Sequence, residues 1–248
     1  MKIAASLIRS TLVGVSDMDR RQFIGALAAG VIGTAAGCLS GINDVTTFSA
    51  APARVSDEAA AEAGYEYRGT RRRVDEERVG GEDIEATSYI STYDRAIDLP
   101  AEQFGDEPVR SGVFGVLTTP QVRVGDTDFN PVSELSNREI ADRIQDHYAG
   151  LEIERAVGGR ALEALGERFS VQTYGGTATL QDEYEADIVL DIVQRDHEDD
   201  HIVVAAMYPA ADIVPGEAAR IDTLVRGLEH YDDLEVDLVE DDGDGGEE

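Results

Sequence analysis

The sequence is poor in residues that form cross-links, thiolate metal sites or lysine-based sites. It holds one cysteine, no tryptophan, four histidines and a single lysine, Lys2. A lone cysteine excludes an intrachain disulfide, and once it carries the lipid argued for below, no thiolate is left for copper. Gly-X-Ser-X-Gly and a Gly-rich phosphate loop with lysine are absent from the sequence. The letters His-Glu-X-X-His occur at His197–His201, but in a predicted turn instead of the helix that this zinc motif requires. We therefore predict no catalytic residue and no cofactor.

Positive charge is also scarce. The 248 residues include 51 acidic and 21 basic side chains, a formal net charge of −30. Residues 1–37 hold four of the basic and two of the acidic ones, so the remainder carries a net charge of −32 and no lysine. This charge argues against nucleic acid and anionic lipid as electrostatic partners. In 1 M salt the Debye length falls to about 3 Å, so neighbouring carboxylates hardly repel one another. An acidic surface without lysine resembles that of proteins from extreme halophiles.

Hydrophobic residues make up 42% of the chain and follow regular patterns, which argues against an acidic disordered protein. The first clear pattern is an apolar run over residues 23–36, directly after Arg20 and Arg21. The run is shorter than the roughly 20 residues of a membrane-spanning helix. Paired arginines before a mild apolar run are typical of a twin-arginine export signal. We therefore predict that Arg20, Arg21 and Phe23 belong to an export signal.

The apolar run ends in Ala35-Ala36-Gly37-Cys38. Small residues before a cysteine resemble a lipobox, in which the thiol receives lipid and the preceding peptide is removed. Cys38 is therefore the predicted lipidation site, and the partners implied are the membrane and the twin-arginine export machinery. The predicted location is the extracellular face of the cell membrane. The alternative is a buried Ala/Gly helix with an ordinary core cysteine.

These assignments divide the chain into four parts. Residues 1–37 are a signal peptide whose true start is either Met1 or Met18, and residues 38–46 are a tether. Residues 47–239 form one α+β domain, and residues 240–248 are a disordered acidic tail. The oligomeric state stays open.

Local signals predict the elements of the domain. Ser56 begins a short helix that ends at Gly64, a capping box at Ser136–Glu139 begins a second, and Pro215 opens a third that runs to His230. The predicted strands are 47–55, 65–79, 82–99, 112–119, 121–124, 127–129, 151–157, 161–165, 169–180, 184–194 and 202–208. Residues 112–119 are apolar on both faces and are expected to form a central strand, and Gly158-Gly159 is expected to join strands 151–157 and 161–165. This order predicts an α+β fold, a mostly antiparallel sheet with two or three packed helices. From the second helix onward the order resembles the PsbP/Mog1-like fold.

Two stretches have partial metal-site patterns. His197 and His201 frame three acidic residues, but a solvated hairpin turn is the favoured interpretation, because residues four apart on a turn do not share a face. Asp126-X-Asp128-X-Asn130 begins like a calcium loop, which then lacks the required glycine and bidentate glutamate. No metal site is predicted, and whether the His197–His201 turn or the Asp126–Asn130 loop binds cations stays open.

The remaining histidines and a tyrosine pair have simpler interpretations. His147 and His230 are expected at helix ends, where an imidazolium complements the helix dipole. Tyr89 and Tyr93 share one face of a predicted strand, and packing is favoured over a role in a ligand groove.

Several stretches together resemble a family of small uncharacterised lipoproteins of haloarchaea. They are Thr47–Ala50, Thr118–Val122, Phe129–Pro131 leading to Leu135–Glu139, and Val203–Pro209. The resemblance covers residues 38–232 and implies no catalytic residues, because the family carries a domain of unknown function. We predict an exported, lipid-anchored, halophilic surface lipoprotein that is not an enzyme and binds a partner protein or envelope component. Two alternatives stay open: a small-ligand carrier associated with a transporter, and a secreted hydrolase with an unrecognised site.

Overall fold

The computed structural model describes residues 45–79, 82–97, 109–124, 127–129, 132–147, 150–180 and 184–239. Within these ranges the helices are α1 (Asp57–Ala63), α2 (Asn137–Asp146) and α3 (Glu217–Arg226). The strands are β1 (Val45–Ser49), β2 (Ala53–Val55), β3 (Glu66–Val79), β4 (Glu82–Ile97), β5 (Val109–Pro120), β6 (Val122–Val124), β7 (Thr127–Phe129), β8 (Leu151–Ala164), β9 (Glu167–Leu180), β10 (Tyr184–His197), β11 (Asp200–Pro209) and β12 (Leu228–His230). No helix in the described ranges is long and apolar enough to cross a membrane.

Eight strands form one sheet in the order β1-β4-β5-β11-β10-β9-β8, with β3 also paired to β4. Only the β1–β4 pair of this sheet is parallel. Short ladders join β12 to β2 and β6 to β7. The predicted fold class, α+β with a mostly antiparallel sheet, is therefore confirmed.

The sheet has a hydrophobic core on each face. Helices α1 and α3 cover one face, where Ile221 and Leu224 pack with Phe114 and Phe169. Helix α2 covers the other face through Ile140, Ala141 and Ile144. Every residue of β11 is buried, because its side chains alternate between the two cores. This explains why the strand is apolar without alternation.

The predicted starts of α1 and α2 are confirmed. The Ser56 hydroxyl accepts a hydrogen bond from the Ala59 amide at 3.3 Å, and Gly64 ends α1 with a φ of 73°. Ser136 and Glu139 form both bonds of the capping box, with 2.8 Å from the Ser136 amide to the Glu139 carboxylate and 3.3 Å from the Glu139 amide to the Ser136 hydroxyl. The local sequence was sufficient to predict both helix starts, because a cap depends on neighbouring residues.

The third helix is shorter than predicted. It spans Glu217–Arg226, and the chain then extends as β12, in which His230 pairs with Ala53 of β2. A side chain at Gly227 would place its Cβ 2.2 Å from the Ala59 Cβ, so the backbone here lies directly against α1. The placement of His230 at a helix end is therefore wrong, because a pairing with a distant strand replaces the last helical turn.

Two strand predictions also need correction. The stretches expected to meet at a Gly158-Gly159 turn form the single strand β8, and the turn lies at Leu165-Gly166, whose φ values are 51° and 74°. A Cβ on Gly159 would lie 2.9 Å from the Val171 carbonyl oxygen, so this glycine permits close strand pairing rather than a turn. The strand expected over residues 47–55 is divided into β1 and β2.

Candidate functional site

The candidate site lies at the tip of the β10–β11 hairpin. His197 pairs with Asp200 in the ladder, and Glu198 in the turn between them has a φ of 55°, which is uncommon for a residue other than glycine. The alternation of the strands places His197 and Asp200 on the face covered by α1 and α3, together with Val193 and Ile202. The predicted hairpin turn is therefore correct.

His230 reaches this tip from β12 and is completely buried. Its Nε2 lies 3.0 Å from the Asp200 Oδ2, which also accepts a hydrogen bond from the Ala51 amide at 2.7 Å. A carboxylate accepts hydrogen bonds, so the Nε2 of His230 is the donor in this pair. With that proton on Nε2, the lone pair of the His230 Nδ1 can accept a hydrogen bond or bind a metal ion.

That lone pair points at a second imidazole. The Nδ1 of His230 lies 2.8 Å from the Nδ1 of the half-buried His197, and the two rings cross at 69° with their centroids 5.1 Å apart. The exposed Glu198 carboxylate belongs to the same group, since ligand atoms of His197, Glu198 and His230 all lie within 4.8 Å of one another. We call these three residues and Asp200 the histidine cluster. Its nitrogen and oxygen atoms are donors that zinc-type metals accept.

The two histidines that the sequence singled out do not meet. His201 lies on the opposite face of the hairpin, where its Nδ1 is 2.5 Å from the Asp196 carboxylate and its Nε2 is 3.1 Å from the Gln194 amide oxygen. The partner of His197 is instead His230, 33 residues along the chain. The pairing of β12 with β2 brings His230 to the hairpin tip, and no local pattern in the sequence predicts that pairing.

Two other buried carboxylates have several partners each. Asp191 accepts hydrogen bonds from Arg160, from the Thr173 hydroxyl at 2.6 Å and from the Tyr208 hydroxyl at 2.8 Å. Burial, and then the neighbouring Asp191 charge, raises the pKa of Tyr208. These contacts hold the sheet together, so we assign Asp191 a structural role.

Glu217 is another buried carboxylate with several partners. It pairs with Arg95 and accepts a hydrogen bond from the Tyr65 hydroxyl at 3.3 Å. Burial, and then the Glu217 charge, raises the pKa of Tyr65. The pair fixes the first turn of α3 against β4, which is again a structural role.

The remaining predicted residues have separate outcomes. Arg20, Arg21, Phe23 and Cys38 lie outside the described residues, as do Asp126 and Asn130 of the calcium-like loop, while Asp128 lies in β7. His147 caps α2 and places its Nδ1 3.1 Å from the Arg143 carbonyl oxygen. Tyr93 is buried, and its hydroxyl accepts a hydrogen bond from the Val55 amide at 2.7 Å, whereas Tyr89 is half-buried.

The fold defines an α+β domain with helices on both faces of one sheet. Residues 52–229 match the family described as a domain of unknown function, DUF6517, and the chain belongs to that family. No curated protein matches the chain in a sequence comparison.

Among solved structures, the chain is similar to the solution structure of cyanobacterial PsbP (CyanoP) from Synechocystis sp. PCC 6803. The identity is 10%, the TM-score is 0.28, and the match covers 79% of this chain and 98% of that one. A PsbP protein is thus a structural neighbour of this chain. At this TM-score the likeness carries no argument about function.

Proposed function

We propose that the protein is an exported, lipid-anchored domain of a salt-adapted cell surface that binds a partner protein or another envelope component without catalysis. The main observation behind this proposal is the order of three features along the chain. Arg20 and Arg21, an apolar run and Cys38 come in the sequence expected of an exported lipoprotein. The first strand, β1, begins only seven residues after Cys38.

This spacing limits how far the domain stands from its anchor. Seven residues span at most about 25 Å when fully extended. A domain attached through Cys38 therefore stays close to the membrane, although its net charge repels anionic headgroups. Both properties support a role in binding a neighbour at the membrane surface.

The anchor is tested by fractionating cells that express the wild-type chain or Cys38→Ser, followed by intact-mass measurement. Wild type should be in the membrane, begin at residue 38 and carry lipid mass, whereas Cys38→Ser should be uncut or shed. Ser40→Cys, which adds a thiol beyond the lipobox, should behave like wild type. If wild type and Cys38→Ser both stay soluble inside the cell, the proposal is overturned.

The binding role is tested by cross-linking on intact cells at native salinity. A reproducible protein neighbour that is lost with Cys38→Ser supports the proposal. A transporter permease as that neighbour would favour the small-ligand carrier instead. Hydrolytic activity that is lost with one Asp, Glu or His substitution would favour the hydrolase.

A further inference from the structure

We propose that His197, Glu198 and His230 bind one divalent transition-metal ion of the zinc class, and that Asp200 orients His230 for this role. The site would give the exposed end of the β10–β11 hairpin a function that the anchor does not require. The proposal is independent of membrane attachment, and each can fail without the other.

The first support is the pairing of His230 with a carboxylate. Metal-binding histidines usually donate their second ring N–H to a carboxylate or carbonyl, which fixes the ring and its tautomer. Asp200 does this at 3.0 Å from Nε2, and the amide of Ala51 holds the same oxygen at 2.7 Å. His230 is therefore already oriented as a ligand through Nδ1.

The second support is the convergence of three donors from two parts of the chain. His230 comes from β12, while His197 and Glu198 come from the hairpin tip. Two imidazoles and a carboxylate that leave a fourth position open to solvent are a set typical of zinc sites. Because His230 is buried and Glu198 is exposed, that position faces water.

Metal binding must increase the distance between the two imidazoles. The two Nδ1 atoms are 2.8 Å apart, which is the length of a hydrogen bond from His197 to His230. Two Zn–N bonds of about 2.0–2.1 Å at a tetrahedral angle place the nitrogens about 3.4 Å apart. The half-buried His197 must therefore retreat by about 0.6 Å, and its proton must move from Nδ1 to Nε2 so that Nδ1 can bind the ion.

The donor set selects the kind of ion. Calcium and magnesium prefer six or more oxygen ligands, which this cluster does not offer. Imidazole nitrogen suits zinc, copper(II), nickel and cobalt(II). We therefore expect zinc-class ions to bind and Ca²⁺ not to compete.

The test is Zn²⁺ binding to the whole chain in molar KCl after metal removal, measured by competition with a chromogenic chelator. We expect one tight site per chain and no displacement by excess Ca²⁺. Co²⁺ in its place should give the visible absorption bands of a tetrahedral ion. Asp200→Asn should weaken Zn²⁺ binding by about 10- to 100-fold, as loss of an outer partner does.

His197→Ala and Glu198→Gln should each weaken binding more than Asp200→Asn does, and His197→Ala should abolish the cobalt bands. Both residues lie at the hairpin tip, so these variants are expected to fold even if a His230 variant does not. His147→Ala, at the exposed histidine that caps α2, and Asp199→Asn, at the neighbouring turn residue, are the matched controls and should bind as wild type. If His197→Ala and Glu198→Gln also bind Zn²⁺ as wild type does, the cluster is a hydrogen-bonded pair and the proposal is wrong.

Discussion

Arg160 on β8 reaches across β9 and binds both oxygens of the buried Asp191 on β10, at 3.1 and 2.8 Å. Its Nε also lies 2.6 Å from the Asp222 carboxylate of α3. One guanidinium thus ties an edge strand, an inner strand and a helix together. A planar fork with several donors can do this, whereas a lysine would not.

Arg160→Ala is expected to destabilise the domain strongly, because Asp191 would stay buried without its positive partner. Losing one member of a buried ion pair costs about 3–5 kcal/mol. The control is Arg155→Ala at an exposed position of the same strand, which should change stability by less than about 0.5 kcal/mol. Urea denaturation in molar KCl measures both, and equal effects would contradict the structural role of the pair.

Buried tyrosines should make the domain sensitive to alkali. Burial raises the pKa of Tyr65 and Tyr208 above the value of about 10 that they have in the unfolded chain. Above about pH 10 the folded state therefore holds more protons than the unfolded chain. The stabilisation from these buried, neutral tyrosines is complete below about pH 10 and is lost as the pH rises further. Above about pH 10, each such tyrosine lowers the free energy of unfolding by up to about 1.4 kcal/mol for every pH unit.

The measurement is the free energy of unfolding between pH 9 and pH 12. Tyr208→Phe should show a shallower alkaline decline than wild type, although its loss of the Asp191 hydrogen bond lowers stability at every pH. Tyr231→Phe, at a position 48% exposed, should match wild type. The same slope in all three proteins would count against the assignment.

Two glycines on the paired strands β8 and β9 should respond oppositely to alanine. A Cβ on Gly176 would lie 2.3 Å from the Glu152 carbonyl oxygen, whereas one on Gly158 would meet nothing within 4 Å. Gly176→Ala should therefore cost about 1–3 kcal/mol through overpacking. Gly158→Ala should be neutral or stabilise by up to about 1 kcal/mol, because it reduces the freedom of the unfolded chain. Thermal unfolding distinguishes them, and a harmless Gly176→Ala would contradict the described register.

The acidic surface should make stability depend on salt. Raising KCl from about 0.15 M to about 1 M shortens the Debye length from about 8 to 3 Å, so repulsion among carboxylates falls. We expect the free energy of unfolding to rise over this range. A triple variant, Glu152→Gln, Glu154→Gln and Glu163→Gln, removes three exposed charges from β8 and should depend less on salt. Stability that does not change with KCl in wild type would refute adaptation to salt.

Sequence reasoning succeeded where structure depends on neighbouring residues. The α2 capping box and the strands of the β9–β10–β11 meander were predicted within a few residues. The central position expected of the apolar β5 was also correct. Helix caps, turns and the alternation of apolar and polar residues depend on neighbouring residues, so they can be recognised directly in the sequence.

The errors arise where distant segments meet. The pairing of β12 with β2 shortens α3 and joins His230 to His197. Its partners are separated by more than 170 residues, so no window of sequence contains both. The Gly158-Gly159 error has a shorter-range cause, because the close approach of Val171 on the next strand, β9, cannot be read from β8 alone.

The pairing of β5 with β11 determines when the domain can be completed. It joins partners 80 to 94 residues apart, from Pro120 with Asp200 to Val113 with Met207. The strands β1, β3 and β4 lie on one side of this junction, and β8, β9 and β10 lie on the other. The two halves cannot join until β11, which ends at Pro209, has been synthesised. We therefore expect the sheet to be completed only after β11 has been made, at a rate set by closing a long loop rather than by forming helices.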